Sequence, residues 1–207
     1  QGRYAFRNQP GILHWNLSVL AQCLLPLIDS DDDKALAFAQ AVVDNFPQQF
    51  TDAYAGVMAS KLGLAGLRDD DKPLVDGFFA ALSEDALDYT LAFRWLTEVA
   101  CDRTGDCPIE DLFTPGPALT GWLEGWRRRR GEGSASSAER MRVSNRVVIP
   151  RNHQIAKAIA AAEQGDYTVM IALNRRCRSP WEWHEDDGNW AAMPATEERV
   201  TRTFCGT

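Results

Sequence analysis

Asp88-Tyr89-Thr90-Leu91-Ala92-Phe93-Arg94-Trp95-Leu96-Thr97-Glu98-Val99 is the stretch on which the fold turns. Leu91, Trp95, Leu96 and Val99 recur at helical spacing, and Asp88 stands where a side-chain oxygen can take a free N–H of the first turn. The same period runs outward in both directions. Upstream, Leu17, Leu20, Leu24 and Leu27 form one face of a run expected to end near Pro26. Ser30 followed by Asp33 resembles a capping box and opens a run with Leu36, Ala39, Val43 and Phe46 on one side. Pro47 suits the first turn of a further helix, which carries Phe50, Tyr54, Val57, Met58 and Leu62 and stops near Gly63. Asp71 with Pro73 starts another, with Leu74, Val75, Phe78, Phe79 and Leu82.

Downstream, residues 104–117 are broken by Gly105, Pro108, Pro115, Gly116 and Pro117 and read as a loop. Trp122, Leu123 and Trp126 make a short apolar face before Arg127-Arg128-Arg129-Arg130. Residues 131–137 are small and polar, a candidate mobile linker. Ile155, Ile159 and Ala162 mark a helix ending at Gly165, and Asp166 caps a last one with Met170, Ile171 and Leu173. From Pro180 the chain turns irregular, with Trp181, Trp183 and Trp190 around the acidic turn Glu185-Asp186-Asp187-Gly188. Only Val147-Val148-Ile149 suggests a strand. The pattern predicts a mainly α chain: a helical body over 1–130, the candidate linker 131–137, further helices over 138–179 and an irregular tail over 180–207.

The 207 residues are 45% hydrophobic, enough for one ordinary core or a large part of one. No run approaches the ~18–20 apolar residues that cross a bilayer, so no membrane partner is expected. The net charge of −7 is uneven, with −10 over residues 1–113 and +3 over 114–207. An acidic front argues against general nucleic-acid binding, which needs a basic stripe. The four consecutive arginines read as a solvated helix end, where the macrodipole favours cations. Five cysteines, an odd and irregularly spaced set, do not suggest a secreted disulfide framework and point to a reducing, cytoplasmic setting. Cys23, among leucines, reads as core packing.

Few side chains suggest chemistry. Cys101 and Cys107 lie outside the usual zinc-knuckle spacing, and His14, His153 and His184 are widely scattered, so no metal ligand is assigned. No glycine-rich phosphate cradle occurs. The acidic runs 31–33 and 69–71 each precede a helix, where carboxylates favour the positive dipole end. His153 has no companion in the sequence to make it a catalytic base. Arg151-Asn152-His153 reads as a device pinning a helix start, with Asn152 as its cap.

Several blocks carry a resemblance. Gly2-Arg3-Tyr4, Asn8-Gln9-Pro10 and Trp15-Asn16-Leu17 resemble the stretch just after the metal-binding loop in the selenoprotein O family. Further blocks agree in order: Lys61-Leu62-Gly63-Leu64, Asp88-Tyr89-Thr90-Leu91-Ala92-Phe93-Arg94, Ile149-Pro150-Arg151-Asn152-His153 and Thr203-Phe204-Cys205-Gly206-Thr207. Two departures stand out. Asn145-Arg146 occupies the place of the family's usual Asn-Pro, and Pro180-Trp181-Glu182-Trp183-His184 replaces a more typical Pro-Tyr-Asp-Glu run.

The resemblance implies the helical C-lobe part of a protein-kinase-like fold with a loop-rich C-terminal tail. It implies a protein adenylyltransferase that moves AMP from ATP, with Mg²⁺, onto Ser, Thr or Tyr hydroxyls of protein substrates. The family's catalytic, nucleotide-binding and metal-holding residues lie upstream of the motif matching Gln1, so none is carried onto this chain. The chain is thus expected to be the back part of a longer protein, lacking the upstream part of its own domain, and inactive alone. A kinase-like phosphotransferase fragment and a stand-alone helical interaction module remain as alternatives. The resemblance also implies a redox role for Cys205, which in related bacterial proteins can form a disulfide with a Cys upstream of position 1.

Overall fold

The computed structural model describes residues 8–102, 108–131, 135–184 and 187–199, which form a mainly helical chain with no strand among them. It divides into two compact units, Gln1–Val57 and Met58–Thr207.

The first unit contains α1 (Gln9–Ile28) and most of α2 (Asp32–Lys61). α1 ends at Ile28, near Pro26 as the sequence predicts, but Pro47 lies inside α2, where the sequence predicts a boundary. A proline in a helix interior has no N–H to offer the carbonyl four residues back. For Pro47 that carbonyl belongs to Val43, and the His14 ring reaches it with Nε2 at 3.2 Å while stacking on Phe46 at 5.5 Å. An outside donor thus replaces the missing one, and α2 continues. The N-terminus of α2 also differs from expectation: Asp31, rather than Ser30, accepts the N–H groups of Asp33 and Lys34.

α1 buries none of its residues, and Cys23 is exposed, not packed in a core. By length and composition alone, the helix departs from the expectation that no run approaches a bilayer span. Its 20 residues include no charged side chain and reach a mean hydropathy of 1.5, enough in length and composition to cross a bilayer. Because His14 already serves the Val43 carbonyl, Pro47→Ala should recover only part of the roughly 3 kcal/mol that an interior proline costs. An increase of about 1 kcal/mol in unfolding free energy is expected in urea titration. A loss would show that the proline sets a bend the unit requires.

The second unit builds the core. α3 (Lys72–Glu84), α4 (Tyr89–Ala100), α5 (Ile109–Leu112), α6 (Pro117–Arg130) and α7 (Ala135–Ser144) surround Leu62, Phe78, Phe93, Leu96, Trp126 and Met141. α3 packs on α6 at Gly77, beside the Trp122 ring, whose Nε1 donates to the Leu74 carbonyl at 2.8 Å. α6 is capped from afar: Asp85 accepts the Leu119 N–H at 2.9 Å. Ala135–Ser137, assigned by composition to the linker, are helical, and Ser137 is buried with its hydroxyl donating to Gly63 O at 2.7 Å. α8 (Asn152–Glu163) and α9 (Thr168–Arg178) pack together as a pair, followed by the short α10 (Asp187–Ala191). Val147-Val148-Ile149 forms no strand; Val147 N–H donates to Pro180 O at 2.7 Å as part of a loop contact.

The arginine run at the end of α6 is only partly solvated. Arg129 forks onto Asp71 at 2.5 and 2.6 Å, and Arg130 lies 4.7 Å over the Trp126 ring. Asp71 is therefore an ion-pair partner, held below the usual carboxylate range by the Arg129 guanidinium; its side chain makes no cap to α3.

Candidate functional site

Lys61-Leu62-Gly63-Leu64 closes α2, and each residue has a separate job. Leu62 and Leu64 enter the core. Gly63 adopts φ 72°, and a Cβ there would lie 2.5 Å from Ser137 Oγ and 2.8 Å from Met141 Sδ. Only glycine suits both the left-handed turn and the close approach of α7. The turn aims Lys61 at α4, where its ammonium sits 4.3 Å from the Phe93 ring centre and 5.6 Å from that of Tyr89.

α4 begins as the sequence predicts, with Asp88 accepting the Leu91 N–H at 2.8 Å. Its polar residues carry the rest of the site. Arg94 (2% exposed) and Glu98 (1%) form a buried ion pair one turn apart. Arg94 also donates to Trp181 O at 2.8 Å and Asn145 O at 3.3 Å, and Trp183 Nε1 donates to Glu98 at 3.1 Å. Buried charge survives only when partners replace water. Here the partners are the segments after α7 and after α9, so the pair clamps both onto α4. Arg94 Nε and Glu98 Oε2 have no protein partner among the described residues.

Asn145 completes the junction. Its Oδ1 accepts from Lys61 Nζ at 3.0 Å, and its Nδ2 donates to Lys61 O at 2.8 Å and Thr97 Oγ1 at 2.9 Å. Arg146, next in sequence, is exposed and lies 5.9 Å over the Trp181 ring. The arginine at 146 thus has the tryptophan at 181 to lie on. Burial, and after it the Arg146 charge, push the Lys61 amine down to about 8, while the two rings favour the ammonium.

Arg151 forks onto Asp88 at 2.8 and 3.0 Å. Burial alone would raise the Asp88 carboxyl, but the guanidinium and the Leu91 N–H hold it below its ordinary range. Asn152 is not the cap of α8: Arg151 holds that position, and Asn152 is already helical and exposed. His153 is buried beside Gln154 Nε2 at 3.1 Å, and burial lowers its pKa from the ordinary imidazole value.

The structure thus joins three of the quoted blocks, at Lys61–Leu64, Asp88–Arg94 and Ile149–His153. Gly2–Tyr4 and Cys205 lie outside the described residues. The sequence reading missed Arg94, Glu98 and Asn145 as a junction, although two opposite charges one turn apart within an apolar helix were a visible signal. Among the described residues no three His, Cys, Asp or Glu side chains converge as metal donors. The carboxylates of Asp88, Glu98 and Asp187 are each taken by an arginine. No transfer step is assigned to the described residues.

Comparison with known proteins agrees with the motif blocks. The family model described as "Protein adenylyltransferase SelO" matches residues 1–178. A protein nucleotidyltransferase YdiU from a Bradyrhizobium species is 41% identical over 210 residues, covering 100% of this chain and 43% of its own length. Proteins of the same name from Rhodopseudomonas palustris and Agrobacterium fabrum are 39% and 38% identical, with the same coverage of each chain. The chain therefore spans less than half the length of these relatives.

Proposed function

The chain belongs to the family of the protein adenylyltransferase SelO, and on that premise we propose that it works as part of an enzyme transferring AMP from ATP to hydroxyl side chains of other proteins. The relatives' shared name, protein nucleotidyltransferase, supports the reaction class. The observation carrying this reading is the junction itself: residues of the family-like blocks at 61–64, 88–94 and 149–153 contact one another or share Asn145 and α4 as partners. These blocks act as a scaffold of what we propose to be the helical lobe of a kinase-like fold. In that role they position the nucleotide-handling residues without touching the nucleotide. Cys205, on the resemblance, is the proposed redox-regulatory residue, and the proposed setting is a reducing compartment.

AMP transfer places its demands on positioning and on neutralising the leaving pyrophosphate. Two measurements test the assignment. In a protein of the relatives' full length carrying this chain, label from the α-phosphate of ATP should end on a protein substrate; label from the γ-phosphate would indicate phosphoryl transfer instead. Titrating ATP with Mg²⁺ into the 207-residue chain should give no saturable heat. Micromolar binding would mean that this chain contains nucleotide-binding residues that the scaffold reading denies it.

A further inference from the structure

The chain has four lysines, and three of them hold carboxylates: Lys34 on Asp31 at 3.2 Å, Lys72 on Asp76, and Lys157 on Glu198 at 2.6 Å. Lys61 differs. Among the described residues no carboxylate lies within ion-pair distance of it; its Nζ is held by the Asn145 amide oxygen and the faces of Phe93 and Tyr89. The side chain is half-buried rather than sealed, and Arg146, which follows the Asn145 that binds it and whose charge acts on it, is exposed.

We propose that Lys61 is an acylation site for small acyl phosphates, with the Arg146 guanidinium drawing the phosphate and the ring-flanked amine attacking the carbonyl carbon. An acyl phosphate suits this place better than a neutral donor because it brings an anion to a cation, Arg146, that makes no ion pair among the described residues. The Nζ lone pair forms the new N–C bond. The C–O bond to phosphate breaks, inorganic phosphate leaves with the bonding pair, and the amine proton passes to water. No electron is gained or lost by the protein. The product is a neutral amide, which ends the cation–ring contacts with Phe93 and Tyr89 and leaves at most one N–H for Asn145. Acylation therefore loosens the segment carrying Asn145 from the end of α2. The proposal is independent of the AMP-transfer reading.

The amine must be neutral to attack; burial and the Arg146 charge favour that state, while the two rings and the Asn145 oxygen favour the ammonium. Arg146 is the one charge acting on it from the segment after α7. On α4, Arg94 is neutralised by Glu98, and Asp88 at its start by Arg151. With a pKa of about 8, close to half of the Lys61 amines are neutral at pH 8. An ordinary lysine is neutral there in about 0.4% of molecules. Lower basicity also lowers nucleophilicity, which takes back part of that ratio.

The 207-residue chain treated with acetyl phosphate at pH 8 and mapped by peptide mass spectrometry should show Lys61 acetylated about tenfold faster than Lys34, Lys72 or Lys157. Its rate should level off above pH 9 while theirs keep rising. Arg146→Ala, compared at pH 10 where the amine is neutral with or without the arginine, should slow acetylation by acetyl phosphate several-fold. The same variant should react unchanged with N-hydroxysuccinimidyl acetate, which has no charge. Lys61 reacting no faster than the other lysines in the unaltered chain overturns the proposal, whatever the variant does. Equal slowing with both reagents overturns it too, because Arg146 would then not recruit the phosphate.

Discussion

Arg94→Met should destabilise the chain by about 3–5 kcal/mol, a large share of the 5–15 kcal/mol that holds a typical domain together. The attraction lost with the arginine is the smaller part of that cost. The larger part is what stays behind: Glu98 in a 1%-exposed position with, among the described residues, only the Trp183 N–H as donor. Two carbonyls, those of Trp181 and Asn145, would also lose the guanidinium. Unpartnered buried acceptors cost their full desolvation. A paired substitution separates these contributions. Arg94→Met with Glu98→Leu removes both charges, fills a similar volume, and should recover more than half of the loss. Urea titrations of the two single variants and the double variant measure the coupling, provided the slopes stay equal. A loss under 1 kcal/mol for Arg94→Met alone would show that water or backbone already satisfies Glu98, and that the clamp on the segments after α7 and α9 lies elsewhere.

Arg94 also marks the boundary between what the residues disclosed and what they concealed. Periodicity found α4 because Leu91, Leu96 and their neighbours face the core, and a single carboxylate, Asp88, fixed its start. Gly63 was legible as a stop because a left-handed turn leaves few alternatives. Periodicity says nothing, however, about a polar residue on the apolar side of a helix. Whether Arg94 and Glu98 are buried depends on segments 51 and 85 residues further along, to which they bond. Pro47 failed as a boundary for the same kind of reason: the donor that rescues its carbonyl sits on α1, 29 residues before Val43. The arginine run misled because side chains of that length can fold back, Arg129 onto Asp71 and Arg130 onto Trp126. The motif blocks flagged that residues 61–64, 88–94 and 149–153 matter. That they contact one another, through Asn145 and the Asp88–Arg151 fork, required three dimensions.

The other large effect is expected at Arg176, because one guanidinium holds a whole segment closed. It forks onto the fully buried Asp187 carboxylate at 2.5 and 2.7 Å and donates to Ser179 O at 2.5 Å and Glu182 O at 2.9 Å. Asp187 in turn accepts the His184 N–H at 2.7 Å. No other side chain can occupy this position in the same way, since a lysine would bring the charge but not the planar fork. Arg176→Ala should therefore cost about 3–5 kcal/mol locally and open the segment from Ser179 to Ala191. The segment also carries Trp181, Trp183 and Pro180, which contact Arg94, Glu98 and Val147, so its opening should reach α4. Amide exchange at His184 and Asp187 should accelerate at least a hundredfold, and trypsin should begin to cut after Arg178. Arg176→Lys should fall between the two, keeping the charge opposite Asp187 while losing the carbonyl contacts. If exchange at His184 and Asp187 is unchanged in Arg176→Ala, the Asp187 carboxylate is held by something other than this fork, and the segment does not depend on it for closure.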